Sequence, residues 1–254
     1  MQKIGHASTI GITCSDLALD VSKLVAWKSG IVDRLTGGIE TLLKKHGVEV
    51  VMGEARLVDA TSVCVKGQSG EQTIKADDIV IATGSIPTTI PGFEFDEDAV
   101  WSSTDALVPE SIPGHLVVIG AGYIGLELGI MYQNLGSQVT VLEATGGVLP
   151  GQERDCTKVI ERSLKKRKIK LLTETFAKGW ERTATGLSVA IEGKTGASIV
   201  ECDQILSTVG RRPYSEGLGL EAAGLSVNEQ GFLDTDRQMR TAVTNIYEIG
   251  RAHL

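Results

Sequence analysis

The stretch LVVIGAGYIGLELG, from Leu116 to Gly129, constrains this chain more than any other. An apolar run ends in glycines at fixed spacing, and a helical pattern follows. Gly120-Ala121-Gly122-Tyr123-Ile124-Gly125 matches the dinucleotide fingerprint. Gly120 permits the tight turn, Gly122 lets the backbone approach a pyrophosphate, and Gly125 lets the helix pack close to the strand. The helix start offers free amides and a positive dipole end to phosphates. Context separates this match from a glycine turn that merely packs. A strand precedes it, a helix follows, and a second strand ends in Thr140-Val141-Leu142-Glu143. A carboxylate at Glu143 can accept from a ribose 2′-hydroxyl and repels the extra phosphate of NADP, so the pattern expects NAD.

The surrounding periodicities describe an α/β chain. Strands are expected at Leu116–Ile119, Gln138–Leu142, Ile169–Leu172 and Gln204–Val209, with helices at Ile124–Leu135 and Asp155–Lys168. The second helix sets Val159, Ile160 and Leu164 on one face, and its Lys165–Lys168 run reads as a solvated helix end. Leu187–Ile191 and Ser198–Cys202 read as a hairpin pair. Strands alternating with helices imply a parallel sheet with covering helices. Ahead of this lies a helical pattern from Asp16 to Lys45, capped by Ser15 or Asp16, bent at Gly37-Gly38 and stopped at Gly47. Short strand-like pieces follow at Val48–Met52, Arg56–Val58, Ser62–Val65, Gln72–Ala76 and Asp78–Ala82. The segment holding Pro87, Pro91, Pro109 and Pro113 reads as a connection between bodies.

Bulk composition narrows the partners. With 254 residues and 42% apolar content, the chain can build one large core or two small ones. Its net charge of −7 argues against nucleic acid or an anionic membrane. No apolar run approaches the ~20 residues of a membrane helix, and the N-terminus lacks the pattern of a signal peptide. Cys14, Cys64, Cys156 and Cys202 form no close pair, and His6, His46, His115 and His253 are scattered. No metal site is expected, and the thiols suit a reducing cytosol. A cytoplasmic location is expected, or a mitochondrial matrix.

Taken together, VVIGAGYIGLELG, VTVLE, LTGGIETLLKKHGVEVVMGEA, IVIATGSIP, STVGRRPY and TNIYEIG resemble the flavoprotein pyridine nucleotide–disulfide oxidoreductases, most of all their dihydrolipoamide-oxidising branch. The likeness runs from about residue 15 to 250 with its motifs in the family's order. It implies a Rossmann-like NAD domain inserted in a partial FAD domain of the two-dinucleotide-binding flavoprotein type. Residues 1–112 would be the second part of the FAD domain, 113–238 the NAD domain and 239–254 the return to the FAD domain. By resemblance, Gly120, Ala121, Gly122, Tyr123, Ile124, Gly125, Leu126, Glu127 and Glu143 would hold NAD, with Gly210 on the nicotinamide side. Ala55 would lie by the adenine of FAD, and Thr83-Gly84-Ser85 against the flavin nucleotide. Arg211 and Arg212 read as structural rather than as phosphate contacts.

The resemblance also implies an activity. In the family, electrons pass between a dithiol substrate, a cysteine pair, FAD and NAD. The partners would be NAD(H) and the lipoyl domains of 2-oxo acid dehydrogenase complexes, and the whole protein would be a homodimer. The family's Cys-x-x-x-x-Cys pair, its first glycine fingerprint and its C-terminal His–Glu pair have no counterpart in this sequence. No catalytic residue is therefore assigned. Where the family has an aspartate after Asn245–Gly250, this chain has Arg251, and a cation cannot accept hydrogen bonds from the flavin's ribityl chain. Arg251–Leu254 reads as a truncated or artificial end, and the chain as an internal piece predicted inactive alone. The alternatives are a stand-alone or remnant NAD-binding module, and a related disulfide reductase or NADH oxidase.

Overall fold

The computed structural model describes residues 18–194 and 196–250. Ser15, Asp16, Leu17, His6, Cys14, His253 and Arg251–Leu254 lie outside the described residues. In chain order the elements begin with helix α1 (Val21–Lys45) and strands β1 (Glu54–Asp59), β2 (Ser62–Gly67), β3 (Gly70–Lys75), β4 (Ile79–Ile81), β5 (Ser85–Pro87) and β6 (Val100–Trp101). Next come β7 (His115–Ile119), helix α2 (Tyr123–Leu135), β8 (Gln138–Leu142), helix α3 (Arg154–Lys166) and β9 (Lys170–Leu172). The chain continues through β10 (Phe176–Thr183), β11 (Gly186–Gly193), β12 (Gly196–Cys202), β13 (Gln204–Ser207), β14 (Arg211–Pro213) and β15 (Ile246–Glu248). No described helix is long and apolar enough to cross a membrane.

Two compact units divide these elements. One takes residues 18–32 and 87–210, the other 33–86 and 211–250. The breaks differ from the expected 112/113 and 238/239. Residues 87–112 are not a bare connection, because Phe93, Ala99, Val100 and Ala106 are fully buried with the parallel sheet. Asp96 fixes that segment by accepting from the amides of Ala99 and Val100, each at 2.8 Å. The buried Gln204 amide donates to the carbonyls of Asp98 and Ala99. Residues 211–238 pack with the other unit, where Leu220, Ala223, Leu225 and Leu233 share a core with Leu57, Ile79, Ile81 and Ile246.

The first unit is built on a five-stranded parallel sheet in the order β6-β13-β7-β8-β9. Side chains alternate across it. Leu116, Val118, Val139, Val141 and Leu206 meet α2 and α3 through Leu126, Leu128, Tyr132 and Leu164. Val117, Ile119, Leu142 and Ile205 point the other way, against the antiparallel meander β10-β11-β12 and Phe93. Truncating a fully buried leucine of this kind costs about 2–5 kcal/mol, so both layers hold the sheet firmly. The expected hairpin is the last two strands of that meander. Its first strand, β10, carries neither strict alternation nor a clear apolar run and escapes a sequence reading. On α3, Leu164 is buried and Ile160 packs beside it, whereas Val159 faces solvent. Lys165, Lys166 and Lys168 are exposed, as a solvated helix end requires.

The second unit joins the antiparallel sheet β1-β2-β3 to the two-stranded pairs β4–β15 and β5–β14. Asn245 ties it together by donating to the carbonyls of Ala60 and Asp77. Val48–Met52 forms no strand; the β1–β2 ladder starts at Glu54, and Val48, Val50 and Met52 are exposed. Helix α1 begins at Val21, where the Asp20 carboxylate accepts from the Lys23 amide at 3.0 Å, a true N-cap. It runs unbroken through Gly37-Gly38 and closes with the amides of Gly47 and Val48 on the carbonyls of Lys44 and Leu43. Among its described residues no side chain is buried.

His115 sits half-buried at the amino end of β7, with Nε2 2.9 Å from Thr140 Oγ1. Burial lowers its pKa from the ordinary 6.5, while the Glu201 backbone and the Asp203 charge oppose the shift and Lys170 adds to it. The unfolded chain therefore binds a proton below pH 6.5 that the folded chain does not. This contribution is fully present above 6.5 and is lost as pH falls from there to the folded pKa. Thermal melts between about pH 7.5 and 5.5 should show wild type losing more Tm than His115→Gln. Parallel curves would clear His115 of the effect.

Candidate dinucleotide site

The site follows from the strand order. The chain passes from β7 through α2 to β8 and through α3 to β9, stepping one way along the sheet. It then returns to place β13 on the opposite side of β7. The carboxyl ends of β7 and β13 thus flank a topological switch point, where open parallel sheets take ligands. The glycine turn leaves β7 at this point.

Three residues set its shape. Gly120 has φ +99°, and a Cβ there would stand 2.7 Å from the Thr208 carbonyl oxygen. A Cβ on Gly125 would collide with the Gly120 carbonyl oxygen and stand 2.5 Å from Thr208 Oγ1. Thr208, just past β13, donates its amide to Ile119 O at 2.8 Å and its hydroxyl to the carbonyls of Ile119 and Gly120. It is the third corner of the turn. No periodicity in the sequence singles it out.

Gly122 differs from its two neighbours. Its φ of −73° suits any residue, and no atom lies within 4 Å of where its Cβ would be. Nothing in the protein's own packing asks for glycine here. The space opens in front of α2, whose N-cap residue makes no side-chain bond and whose first turn holds no acid. The first amides of a helix have no intrahelical partner and favour an anion.

Glu143 is buried, and its carboxylate is already engaged. Oε2 accepts from the Ala121 amide at 2.7 Å and Oε1 from the Thr145 amide at 2.8 Å. The acid therefore braces the glycine turn from the end of β8. A carboxylate has about four lone-pair sites, so acceptor capacity remains on both oxygens.

The other expected contacts sort by exposure. The side chains of Ala121 and Leu126 are buried in the core, so these two can meet a ligand only through backbone, while Ile124 packs against the core and stays partly exposed. Tyr123 and Glu127 face solvent. Gly210 has φ +144° and accepts from the Thr88 amide. In the other unit, Ala55 is exposed on β1, opposite Val65. Thr83 donates its hydroxyl to Tyr214 O, and Gly84 O accepts from the Tyr214 amide. Arg211 donates from Nε to the Ser85 hydroxyl and from Nη2 to the Ser85 carbonyl, and Arg212 pairs with Glu216. Both guanidinium groups thus have partners within the protein. Among the described residues no group of His, Cys, Asp and Glu is arranged to hold a metal ion.

Known proteins share this arrangement. The family described as pyridine nucleotide-disulphide oxidoreductase matches residues 3–252. The dihydrolipoyl dehydrogenase of Staphylococcus aureus is 41% identical over 245 residues, 96% of this chain and 52% of that protein. That of Bacillus subtilis is 43% identical over 246 residues, with the same coverage of 96% and 52%. That of Thermus scotoductus is 45% identical over 235 residues, 91% of this chain and 50% of that protein. Among solved structures, LpdA from Mycobacterium tuberculosis superposes with a TM-score of 0.87 at 28% identity, covering 99% of this chain and 55% of that one. The HOCl-induced flavoprotein disulfide reductase RclA from Escherichia coli gives 0.82 at 28% identity, covering 92% and 53%. The chain spans about half the length of the curated relatives it matches. By sequence and by fold, the chain belongs to the pyridine nucleotide–disulphide oxidoreductases, with the two-dinucleotide-binding flavoprotein architecture.

Proposed function

We propose that the chain carries nucleotide-binding parts of an NAD-dependent dihydrolipoyl dehydrogenase. The whole enzyme would reoxidise protein-bound dihydrolipoamide through a redox disulfide and FAD, with NAD as the final acceptor. Its partners would be the lipoyl domains of 2-oxo acid dehydrogenase complexes and a second copy of itself. The dihydrolipoyl dehydrogenases of similar sequence support the substrate.

Gly122 carries the nucleotide reading. It is the one glycine of the turn whose replacement meets no protein atom, and the space it leaves adjoins the amino end of α2, whose first turn holds no acid. These residues fit a dinucleotide. The amides that open α2 would bind the pyrophosphate, and Glu143 would accept from the ribose on its remaining lone pairs. Gly210 would border the nicotinamide. For FAD, Ala55 and Thr83–Ser85 are the proposed contacts, on a unit whose β4 turns Val80 outward, 58% exposed. Bound FAD and NAD would supply the hydride chemistry; the chain would hold and orient them. Glu127, exposed on α2, would lie beside the reacting rings.

Sulfur chemistry is the other half of the reaction, and the described thiols are poorly suited to it. Cys64 and Cys202 are buried, and Cys156 is free and exposed. Burial pushes the Cys202 thiol up to about 12, far from the thiolate that attacks a disulfide. The chain alone is therefore expected to show no sustained turnover of dihydrolipoamide with NAD. Steady NADH production would overturn this part of the reading. The single glycine fingerprint, at Gly120, further predicts that the chain binds NADH but loses FAD on desalting. A retained flavin band would show that the second unit suffices to hold it.

Two glycine variants test the site itself. Gly122→Ala should keep its fold, with under about 1 kcal/mol lost at the helix cap. Its NADH affinity should fall about tenfold or more. Gly125→Ala should instead lose about 1–3 kcal/mol of stability through overpacking. Undiminished NADH binding by Gly122→Ala would sink the assignment. Glu143→Ala should weaken NADH binding and also cost about 1–3 kcal/mol of stability, because two amides lose their acceptor. Unchanged affinity would remove Glu143 from the ribose.

A further inference from the structure

The loop from Glu143 to Leu149 closes on a single residue. Glu143 accepts from the Ala121 amide, and the Leu149 amide donates to Ala121 O at 2.9 Å. Within the loop, Thr145 Oγ1 donates to Gly147 O at 3.1 Å. Beside Gly147 stands Arg154, the first residue of α3. A cation at a helix amino end opposes the dipole, so Arg154 is not placed there for the helix. Its charge is instead met two turns along by Glu161. Nη1 lies 2.5 Å from Oε1 and Nη2 3.2 Å from Oε2, while Nη1 also reaches Thr157 Oγ1 at 3.3 Å. Gly147 makes room for this pair, since a Cβ there would stand 3.1 Å from Arg154 Nη1 and 3.3 Å from Glu161 Oε1.

We infer that Glu161 holds Arg154 neutralised against the Glu143–Leu149 loop, and that this masking, added to Glu143, makes the site select a ribose 2′-hydroxyl over a 2′-phosphate. The inference rests on the reading of Gly120 to Glu143 as the NAD site. A free guanidinium presents a planar fork of donors suited to phosphate. Paired end-on with a carboxylate, the guanidinium has its charge offset and its Nη1–Nη2 edge occupied. The Arg154 side chain is 57% exposed, so an anion can approach it from solvent, and Glu161 is the acid that offsets its charge. Glu143 then repels a 2′-phosphate, and Arg154, its charge offset by Glu161 beside Gly147, does not counter that repulsion.

Titration of the full chain with NADH and with NADPH tests this, using wild type, Glu161→Gln, Arg154→Gln and the double variant. Glu161→Gln should bind NADPH about tenfold more tightly, with its NADH affinity held within about twofold. Adding Arg154→Gln should abolish the gain, and Arg154→Gln alone should show none. An unchanged NADPH-to-NADH ratio in Glu161→Gln overturns the inference, even if Tm falls, since the pair would then serve the helix alone. A gain that survives in the double variant also overturns it, because relief of the Glu161 charge would be the cause. If wild type binds neither nucleotide, the NAD site itself is refuted, a result separate from a fixed ratio.

Discussion

The carboxyl end of the parallel sheet depends on how closely α2 approaches the end of β7. That approach is a three-way contact among Gly120, Gly125 and Thr208, with no room for a single Cβ at either glycine. The first residues of α2 are set by this contact, and so is the direction of their amides. The same helix then buries Leu126, Leu128 and Tyr132 against the sheet, and Tyr132 donates its hydroxyl to Ala106 O at 2.7 Å. A side chain at 125 would force a choice between those contacts. Either the helix lifts and leaves a cavity under Leu126 and Leu128, or it tilts and moves its amino end. Either way the overpacking costs about 1–3 kcal/mol, against the roughly 1 kcal/mol that a better helix former at 125 could return.

Glu143 links this packing to chemistry. A buried carboxylate is costly unless its oxygens find donors, and here two backbone amides provide them. One belongs to the glycine turn and the other to the loop that follows β8. The acid thus fixes the turn before any ligand arrives, and a preorganised site loses less on binding. An asparagine or glutamine would present one carbonyl oxygen and one amide group where two acceptors are needed. One of the two backbone donors would then face another donor. The requirement for an acid at this position is therefore structural as well as electrostatic.

How much of this could be read in the sequence follows from how local each signal is. The fingerprint, the strands on either side of it and both covering helices are local patterns, and they appear within a residue or two of where periodicity puts them. The Gly120 and Gly125 constraints were legible for the same reason. What escaped depends on distant partners. Residues 87–112 look like a linker because of their prolines, yet Phe93, Val100 and Trp101 find cover only because β13 and the meander arrive a hundred residues later. Val48–Met52 shows the reverse: an apolar run with good strand residues but no partner strand among the described residues. Thr208 and the Arg154–Glu161 pair were invisible, since a lone hydroxyl or an ion pair spaced two turns apart has no distinctive pattern.

The same distance between partners raises the question of how the second unit closes at all. Its β4 pairs with β15, and Leu57 bonds Leu218 across a very long stretch of chain. Closing so long a loop from an unfolded chain is entropically costly, although the cost grows only as the logarithm of its length. The intervening unit reduces it. Thr88 donates its amide to Gly210 O at 3.0 Å, so the first unit, once folded, presents its entry and exit side by side. β5 and β14 begin their pairing from those two points, and the Arg211 bonds to Ser85 extend it. The long loop then behaves as a short one. Pairing of β4 with β15 then has only residues 82–87 and 211–245 left to order, so the contacts favour folding of the parallel sheet first and the divided unit after it.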